Sequence, residues 1–184
     1  MALSAAVARS YAKALFELAR ERNQTDATGR ELEMVADVMA GQSALQLREV
    51  LTRPWVTAAA KRGVARDMAT RLEVSALTRD FFALVAAQGR ASYIGAIAGA
   101  YRDMVDAAAG RVRARVRTRV ALTDGERQTL AARLGRVAGG KQVLLEEAVD
   151  EHLLGGFVAE IGSRIVDGSL DGQLSRLKER LARG

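Results

Sequence analysis

The stretch Arg111–Ala121 reads RVRARVRTRVA, and it separates two parts of the chain with different patterns. Arginine occupies every odd position from 111 to 119, and small or β-branched residues occupy the positions between. A period of two residues is typical of a β-strand with one apolar face and one polar face. The sequence therefore predicts a strand here, with five arginines on one side of it.

Before this strand, apolar residues recur every three or four positions, and polar stretches interrupt them. That spacing is typical of amphipathic helices that share one core. Capping residues mark several helix starts. Ser75, for example, precedes a predicted helix that contains Phe81, Leu84 and Val85. We expect an all-α amino-terminal six-helix bundle over residues 1–106.

After the strand, helical and strand patterns alternate. Thr123 and Glu126 have the spacing of a capping box, and Gly139 is expected to end the helix that follows. We expect a small α+β carboxyl-terminal domain over residues 107–184. Its remaining predicted elements are strands at Gln142–Val149, Phe157–Ile161 and Ile165–Val166, and a final helix with Leu170, Leu174, Leu177 and Leu181 on one face.

The composition excludes several kinds of chemistry. The 184 residues include no cysteine and one histidine, which excludes disulfides, thiolate metal sites and cysteine nucleophiles, and most imidazole zinc sites. We therefore expect no catalytic residue, no metal and no cofactor. The net charge of +6 would suit an acidic protein, a nucleic acid or an anionic membrane surface as partner.

Two local motifs have a functional and a plain interpretation. Gly135–Gln142, GRVAGGKQ, has the glycine and lysine spacing of a phosphate loop. It lacks the following Ser or Thr, and it leaves a predicted helix for a strand, so the end of a helix is the better interpretation. His152, beside Asp150 and Glu151, could be a general base or a metal ligand, but such a cluster is usually solvated surface.

The five-arginine face has three possible roles: binding nucleic acid, binding an acidic protein surface, or forming a solvated strand face. Single-strand binders place aromatic stacking platforms near their basic residues, and none lies between Tyr101 and Phe157. Nucleic acid is therefore the least favoured partner. The acidic cluster of Glu146, Glu147, Asp150 and Glu151 is expected to pair with neighbouring arginines.

Neither a signal peptide nor a membrane span is predicted. Arg9 interrupts the first residues before an apolar run develops. The uncharged stretch Ala91–Tyr101 is far shorter than the ~20 residues that a bilayer requires. We expect a protein that is soluble or only peripherally attached to a membrane.

Three stretches resemble one known family. They are Ala8–Ala19 (ARSYAKALFELA), Leu51–Lys61 (LTRPWVTAAAK) and Leu154–Leu177 (LGGFVAEIGSRIVDGSLDGQLSRL). Their patterns and their order are similar to those of the delta subunit of the rotary F-type ATP synthase, called the oligomycin-sensitivity-conferring protein in mitochondria. Two positions depart from the family pattern, because Glu160 and Asp171 stand where basic residues are common.

The resemblance implies a non-catalytic stator subunit that stops the catalytic head from rotating with the central rotor. It implies one copy per complex, no homo-oligomer and no nucleic acid, with the membrane reached only through the complex. Because the first residues show no targeting pattern, we expect the bacterial form, at the cytoplasmic face of the inner membrane, plasma or intracytoplasmic. The alternative is a basic adaptor that binds RNA or anionic lipid through Arg111–Arg119.

The resemblance also implies two binding regions. The first and fifth helices would form a groove for amino-terminal helices of the alpha subunits, and the carboxyl-terminal domain would hold the ends of the peripheral-stalk b subunits. Asp167 and Gly168 are expected to shape a turn, with a scaffolding role. The candidate residues are Tyr11, Ala12, Leu15, Phe81, Leu84 and Val85 for the groove, and Gly155, Gly156, Gly162, Asp167, Gly168, Leu174 and Leu177 for the stalk-binding or structural motif.

Overall fold

A computed structural model, which describes residues 2–162 and 164–183, shows a helix-rich chain with a small mixed sheet towards its carboxyl end. The chain divides into two compact units, Met1–Val105 and Asp106–Gly184. Six α-helices precede the first strand in the described residues: α1 (Ala2–Glu21), α2 (Thr25–Ala40), α3 (Leu45–Thr52), α4 (Ala58–Arg71), α5 (Ala76–Ala87) and α6 (Ile94–Ala108).

All six helices contribute buried residues to the core of the amino-terminal unit. On α1 the buried residues are Ala8, Ala12, Leu15 and Ala19, spaced four, three and four. Small alanines at these positions allow neighbouring helices to approach closely, as dense packing requires. The phenol of Tyr101 is fully buried, and its hydroxyl donates a hydrogen bond to the carbonyl of Thr25 at 3.0 Å.

Polar contacts fix the start of α5 against α2. The hydroxyls of Ser75 and Thr78 both donate to the carboxylate of Glu31, at 2.7 and 2.5 Å. Ser75 also caps α5, because its side chain accepts the backbone N–H of Thr78. The capping prediction for Ser75 is confirmed, and the long-range partner Glu31 anchors the helix that contains Phe81 and Leu84.

The carboxyl-terminal unit is a four-stranded sheet in the order β2-β1-β3-β4. Strands β1 and β2 are parallel, whereas β3 is antiparallel to both β1 and β4. A helix connects the parallel pair, as such a connection requires. Its elements are β1 (Arg111–Thr118), α7 (Asp124–Val137), β2 (Gln142–Val149), β3 (Phe157–Ile161), β4 (Arg164–Asp167) and α8 (Leu170–Arg183).

Strand β1 is shorter than its sequence pattern predicts. The carbonyl of Thr118 still accepts the N–H of Asp150 at 2.8 Å, but the chain then leaves the ladder. The N–H of Leu122 donates to Glu147 at 2.6 Å, which directs the chain into the cap of α7 at Thr123. Arg119 therefore continues the arginine pattern in sequence but lies outside the strand.

One face of the sheet forms the second core. Leu130 and Leu134 of α7 pack with Ala114, Val116 and Ala159 of the sheet. The inward positions of β1 are thus the small residues between its arginines, as the period of two predicts. No helix in the described part of the chain is both long and apolar enough to cross a bilayer.

Candidate functional site

Helix α1 has a second apolar stripe beside its buried face. Tyr11 is half-buried and Leu18 is 44% exposed, and neither lies on the fully buried face of α1. Helix α5 has a similar stripe, in which Leu77 is half-buried and Leu84 is 46% exposed. We call Tyr11, Leu18, Leu77, Phe81 and Leu84 the α1/α5 surface.

Aromatic and cationic contacts hold the centre of the α1/α5 surface. The rings of Tyr11 and Phe81 meet edge to face, with centroids 6.2 Å apart. The guanidinium of Arg90 lies 5.5 Å from the centre of the Tyr11 ring and donates a hydrogen bond of 2.7 Å to its hydroxyl. The Tyr11 oxygen is therefore an acceptor for Arg90, and its own O–H can still donate to another group.

The structure divides the predicted groove residues into two sets. Ala12, Leu15 and Val85 are 0% exposed and belong to the core. Tyr11 and Leu84 reach the surface, and Phe81, at 9% exposed, lies between them. The predicted groove residues do not include Leu18, because the spacing of apolar residues does not distinguish it from the buried positions of α1.

The glycine-rich motif builds the start of α8. The N–H of Leu170 donates to the carbonyl of Gly155 at 3.0 Å, and the N–H of Gly168 donates to the carbonyl of Phe157 at 2.9 Å. The carboxylate of Asp167 accepts both the N–H and the hydroxyl of Ser169, at 2.9 and 2.6 Å. These bonds attach the first turn of α8 to the strand β3 and to the residues before it.

Close approach of neighbouring atoms explains why glycine stands at two of these positions. Gly156 has φ +77°, and a Cβ there would overlap the carbonyl oxygen of Gly168. A Cβ on Gly168 would lie 2.8 Å from the ring of Phe157. Gly162 also has a positive φ, but it lies in the open turn after β3. These contacts give Gly156 and Gly168 a scaffolding role.

The scaffold presents an uncovered apolar face. Leu170, Leu174, Leu177 and Leu181, which we call the leucine stripe, are 47–75% exposed. Their spacing of four, three and four places them on one side of α8. Leu174 and Leu177, which the resemblance singles out, are in the middle of this face.

The arginines of β1 are engaged in a charge network. The buried carboxylate of Asp106 accepts hydrogen bonds from Arg111 at 3.2 Å and from Arg113 at 2.6 Å. Arg113 also contacts Glu146 at 3.1 Å. Burial acts to lower the pKa of Arg113, but the hydrogen bonds to Asp106 and Glu146 outweigh it and hold the pKa above its ordinary value.

The remaining arginines have partners as well. Arg115 contacts Glu146 at 3.5 Å, Arg117 contacts Asp150 at 3.3 Å, and Arg119 donates to the carbonyl of Leu153 at 3.1 Å. The predicted pairing of the acidic cluster with arginines is confirmed for Glu146, Glu147 and Asp150. Among the described contacts, none joins Glu151 to an arginine. A phosphate ligand would have to compete with these contacts, so the network favours a solvated strand face.

Glu147 links the sheet to α7. Its carboxylate accepts hydrogen bonds from Arg127 at 2.8 Å and from the N–H of Leu122 at 2.6 Å. The hydrogen bond from Arg127, followed by that from Leu122, lowers the pKa of Glu147. This carboxylate thus stabilises the turn that ends β1.

The two local motifs are structural. Gly139 and Gly140 have φ of +76° and +81° and end α7, so the helix-end interpretation is confirmed. His152 lies in the turn after β2, and its backbone N–H donates to the carboxylate of Asp150 at 3.1 Å. In residues 2–162 and 164–183, no three His, Asp or Glu side chains are grouped so that they could hold a metal ion.

Comparison with known proteins gives consistent matches along the whole chain. The family model described as ATP synthase delta (OSCP) subunit matches residues 7–181. The ATP synthase subunit delta of Shouchella clausii (strain KSM-K16) is 38% identical over 179 residues, which cover 97% of each chain. The corresponding protein of Desulforamulus reducens is 37% identical with the same coverage. A chain of the Toxoplasma gondii mitochondrial ATP synthase hexamer shares the fold, with a TM-score of 0.69 at 21% identity over 95% of this chain and 97% of that one.

Proposed function

The chain belongs to the ATP synthase delta (OSCP) family, and from this we propose that it links the catalytic head of a rotary F-type ATP synthase to the peripheral stalk. It is a non-catalytic structural subunit of that membrane-associated complex. In this role it keeps the head from turning with the central rotor. It acts as one copy per complex, at the cytoplasmic face of a bacterial inner membrane.

The head contact uses the α1/α5 surface of a six-helix bundle. An amino-terminal helix of an alpha subunit lies across Tyr11 and Leu84, with Arg90 at the rim. The observation that carries this proposal is the pair of partly exposed apolar stripes on α1 and α5, joined by the Tyr11–Phe81 contact. Binding of an amphipathic helix in an apolar groove is a common recognition mode, and aromatic and arginine side chains often supply its anchors.

The stalk contact uses the leucine stripe. Four leucines on one side of α8 suit pairing with a helix at the carboxyl end of a b subunit. Asp167, Gly156 and Gly168 fix the direction of α8, and the exposed leucines of α8 make the contact. The stalk helix therefore meets a preformed surface, which lowers the ordering cost of binding.

The head contact can be tested with the full-length chain and a peptide from the amino terminus of the alpha subunit. We expect saturable binding by calorimetry. Leu84→Glu should weaken it by about tenfold or more, because a charge then faces an apolar helix. Leu45→Glu is the matched control, because Leu45 is also exposed but lies on α3. Buried Leu15 is unsuitable for this test, since a charge there would disrupt the core.

The result that contradicts the proposal is equally specific. Absence of peptide binding by the wild-type chain, or equal binding by the Leu84→Glu and wild-type chains, would reject the groove. Tight binding of RNA or anionic vesicles that falls steeply with salt would favour the adaptor alternative, because phosphate contacts release counterions.

A further inference from the structure

A cleft of about 510 Å³ opens in the carboxyl-terminal unit beside the start of α7. Three parts of the chain line it: the segment that leaves β1, the first turns of α7, and the residues Gly155–Phe157. Some residues of the arginine network and of the glycine-rich motif line this cleft, but none of the roles described above uses the space inside it.

The walls of the cleft are mainly apolar. Val120, Leu122, Leu130 and Phe157 supply side chains to it. Val120 is 68% exposed, which is unusual for a valine next to a core and leaves the mouth of the cleft open on an apolar edge. When an apolar side chain of a partner fills such a cleft, the complex is stabilised, because apolar surface is removed from water.

The rim of the cleft has a positive charge that no residue in the described part of the chain pairs with. Arg133 is exposed, and it makes neither a hydrogen bond nor an ion pair with any described residue. The one acidic residue of the rim, Glu126, accepts hydrogen bonds from the N–H and the hydroxyl of Thr123, at 2.9 and 2.7 Å, and so caps its own helix. The free charge of the rim therefore favours a carboxylate on the ligand.

The cleft also adjoins the leucine stripe. Gly155 lines the cleft, and its carbonyl accepts the N–H of Leu170, the first residue of the stripe. A Cβ on Gly155 would lie 2.9 Å from the side chain of Leu170, so the two are in direct contact. A helix that lies along α8 can therefore reach the mouth of the cleft.

We propose that this cleft anchors an acidic amphipathic helix of the peripheral stalk. One or more of its apolar side chains enter between Val120 and Phe157, and an adjacent carboxylate pairs with Arg133. The inference rests on the proposed stalk contact and adds the chemistry that the partner must have. A second copy of this chain is a poor occupant, because the sequence from Arg176 to the carboxyl end contains four basic residues and one acidic residue.

The test fills the cleft without disturbing the fold. A Cβ on Gly125, which lines the cleft, would have no atom within 4 Å, so Gly125→Leu adds a side chain into open space. Leucine also favours helix over glycine, so α7 should remain folded. The matched control is Ala132→Leu, which adds a leucine to the same helix at an exposed position outside the cleft. Circular dichroism and the unfolding temperature verify that both variants fold.

Binding of a purified b-subunit carboxyl-terminal fragment to the full-length chain is then measured by calorimetry. We expect Gly125→Leu to weaken binding by about tenfold or more and Ala132→Leu to change it less than about twofold. Arg133→Gln should weaken binding by roughly fivefold and reduce its salt dependence, because one charge pair is lost. Arg136→Gln, a charge one turn further along α7 and outside the cleft, should leave the binding unchanged.

The outcomes separate the two levels of the argument. If the wild-type chain binds the fragment and folded Gly125→Leu binds it equally well, the cleft is not the anchor, and the stator function stands. If the wild-type chain does not bind the fragment, the proposed stalk contact itself fails, and the anchor fails with it. Equal binding by Arg133→Gln and wild type would overturn the acidic character of the partner.

Discussion

The substitution Gly156→Ala tests whether close backbone packing fixes the direction of α8. Gly156 has φ +77°, which costs a non-glycine residue roughly 1–2 kcal/mol. The added Cβ would also overlap the carbonyl oxygen of Gly168 and lie 3.0 Å from Cα of Ser169. Both are backbone atoms, so relief requires a shift of the turn before α8, at roughly 1–3 kcal/mol.

The expected loss is therefore about 2–5 kcal/mol, the sum of the two costs. A unit of this size gains only about 3–5 kcal/mol from its core, so most of the stability of the carboxyl-terminal unit should disappear. Gly162→Ala is the control: its φ is +59°, but no atom lies within 4 Å of the added Cβ. Gly162→Ala should therefore lose only the stability that the positive φ costs a non-glycine residue, about 1–2 kcal/mol.

Urea unfolding and hydrogen exchange together measure this difference. The N–H groups of Gly168 and Leu170 donate to Phe157 and Gly155, so their protection from exchange reports on the attachment of α8. In Gly156→Ala both should exchange much faster than in Gly162→Ala. Similar destabilisation and similar exchange in the two variants would show that crowding at Gly156 does not hold α8, and the scaffold argument would be wrong.

Two further predictions concern the dependence of stability on pH. Burial raises the pKa of Tyr101 to about 12 from 10.0, so the folded state loses stability as the pH rises through this range; Tyr101→Phe should remove that loss, which is up to about 3 kcal/mol, in alkaline urea titrations. The pKa of Glu147 lies below its ordinary 4.5, so its contribution to stability is present above that pH and is lost on acidification. Glu147→Gln should be less stable than wild type at pH 7, and its free energy of unfolding should change less as the pH falls. Identical pH profiles of the two proteins in acid unfolding would contradict this.

Local signals predicted the elements of the carboxyl-terminal unit well. The capping box of α7 forms as expected, with Glu126 and Thr123 bonded to each other in both directions. The inward positions of β1 and the alternating residues Phe157, Ala159 and Ile161 of β3 also follow from a period of two. These features depend on neighbours within a few residues, which is why sequence alone was sufficient.

Contacts between residues that are far apart in the sequence determine two features that the sequence did not predict: which apolar helix positions are exposed, and where β1 ends. The period of α1 and α5 predicts that Leu15, Val85 and Leu84 are apolar helix positions, but it does not tell which face meets another helix. In the structure Leu15 and Val85 are core residues and Leu84 is exposed. Likewise, the early end of β1 depends on the bond from Leu122 to Glu147, which lies 25 positions further along the chain.

The position of Glu146 explains why the arginine strand looks like a binding site in sequence and not in structure. The parallel register sets Arg115 opposite Glu146, and Arg113 reaches the same carboxylate from the same face of β1. The carboxylate of Asp106 contacts Nε of the same Arg113 guanidinium at 2.6 Å. Cross-strand pairs of opposite charge stabilise a sheet, so the alternating arginines hold β1 to β2.

Since the arginines of β1 are paired with carboxylates, the exposed apolar side chains are the surface that the carboxyl-terminal unit offers to a partner. The leucine stripe and the open edge at Val120 together expose large apolar side chains on a unit with a small core. A partner that covers them would stabilise the folded state by about 2.7 kcal/mol at a free concentration of 100 Kd. For a unit with only a few kcal/mol of its own, such a gain would be comparable to the stability of the core. The exposed leucines, which add little to the stability of the isolated unit, thus suit the unit to a permanent place in a larger assembly.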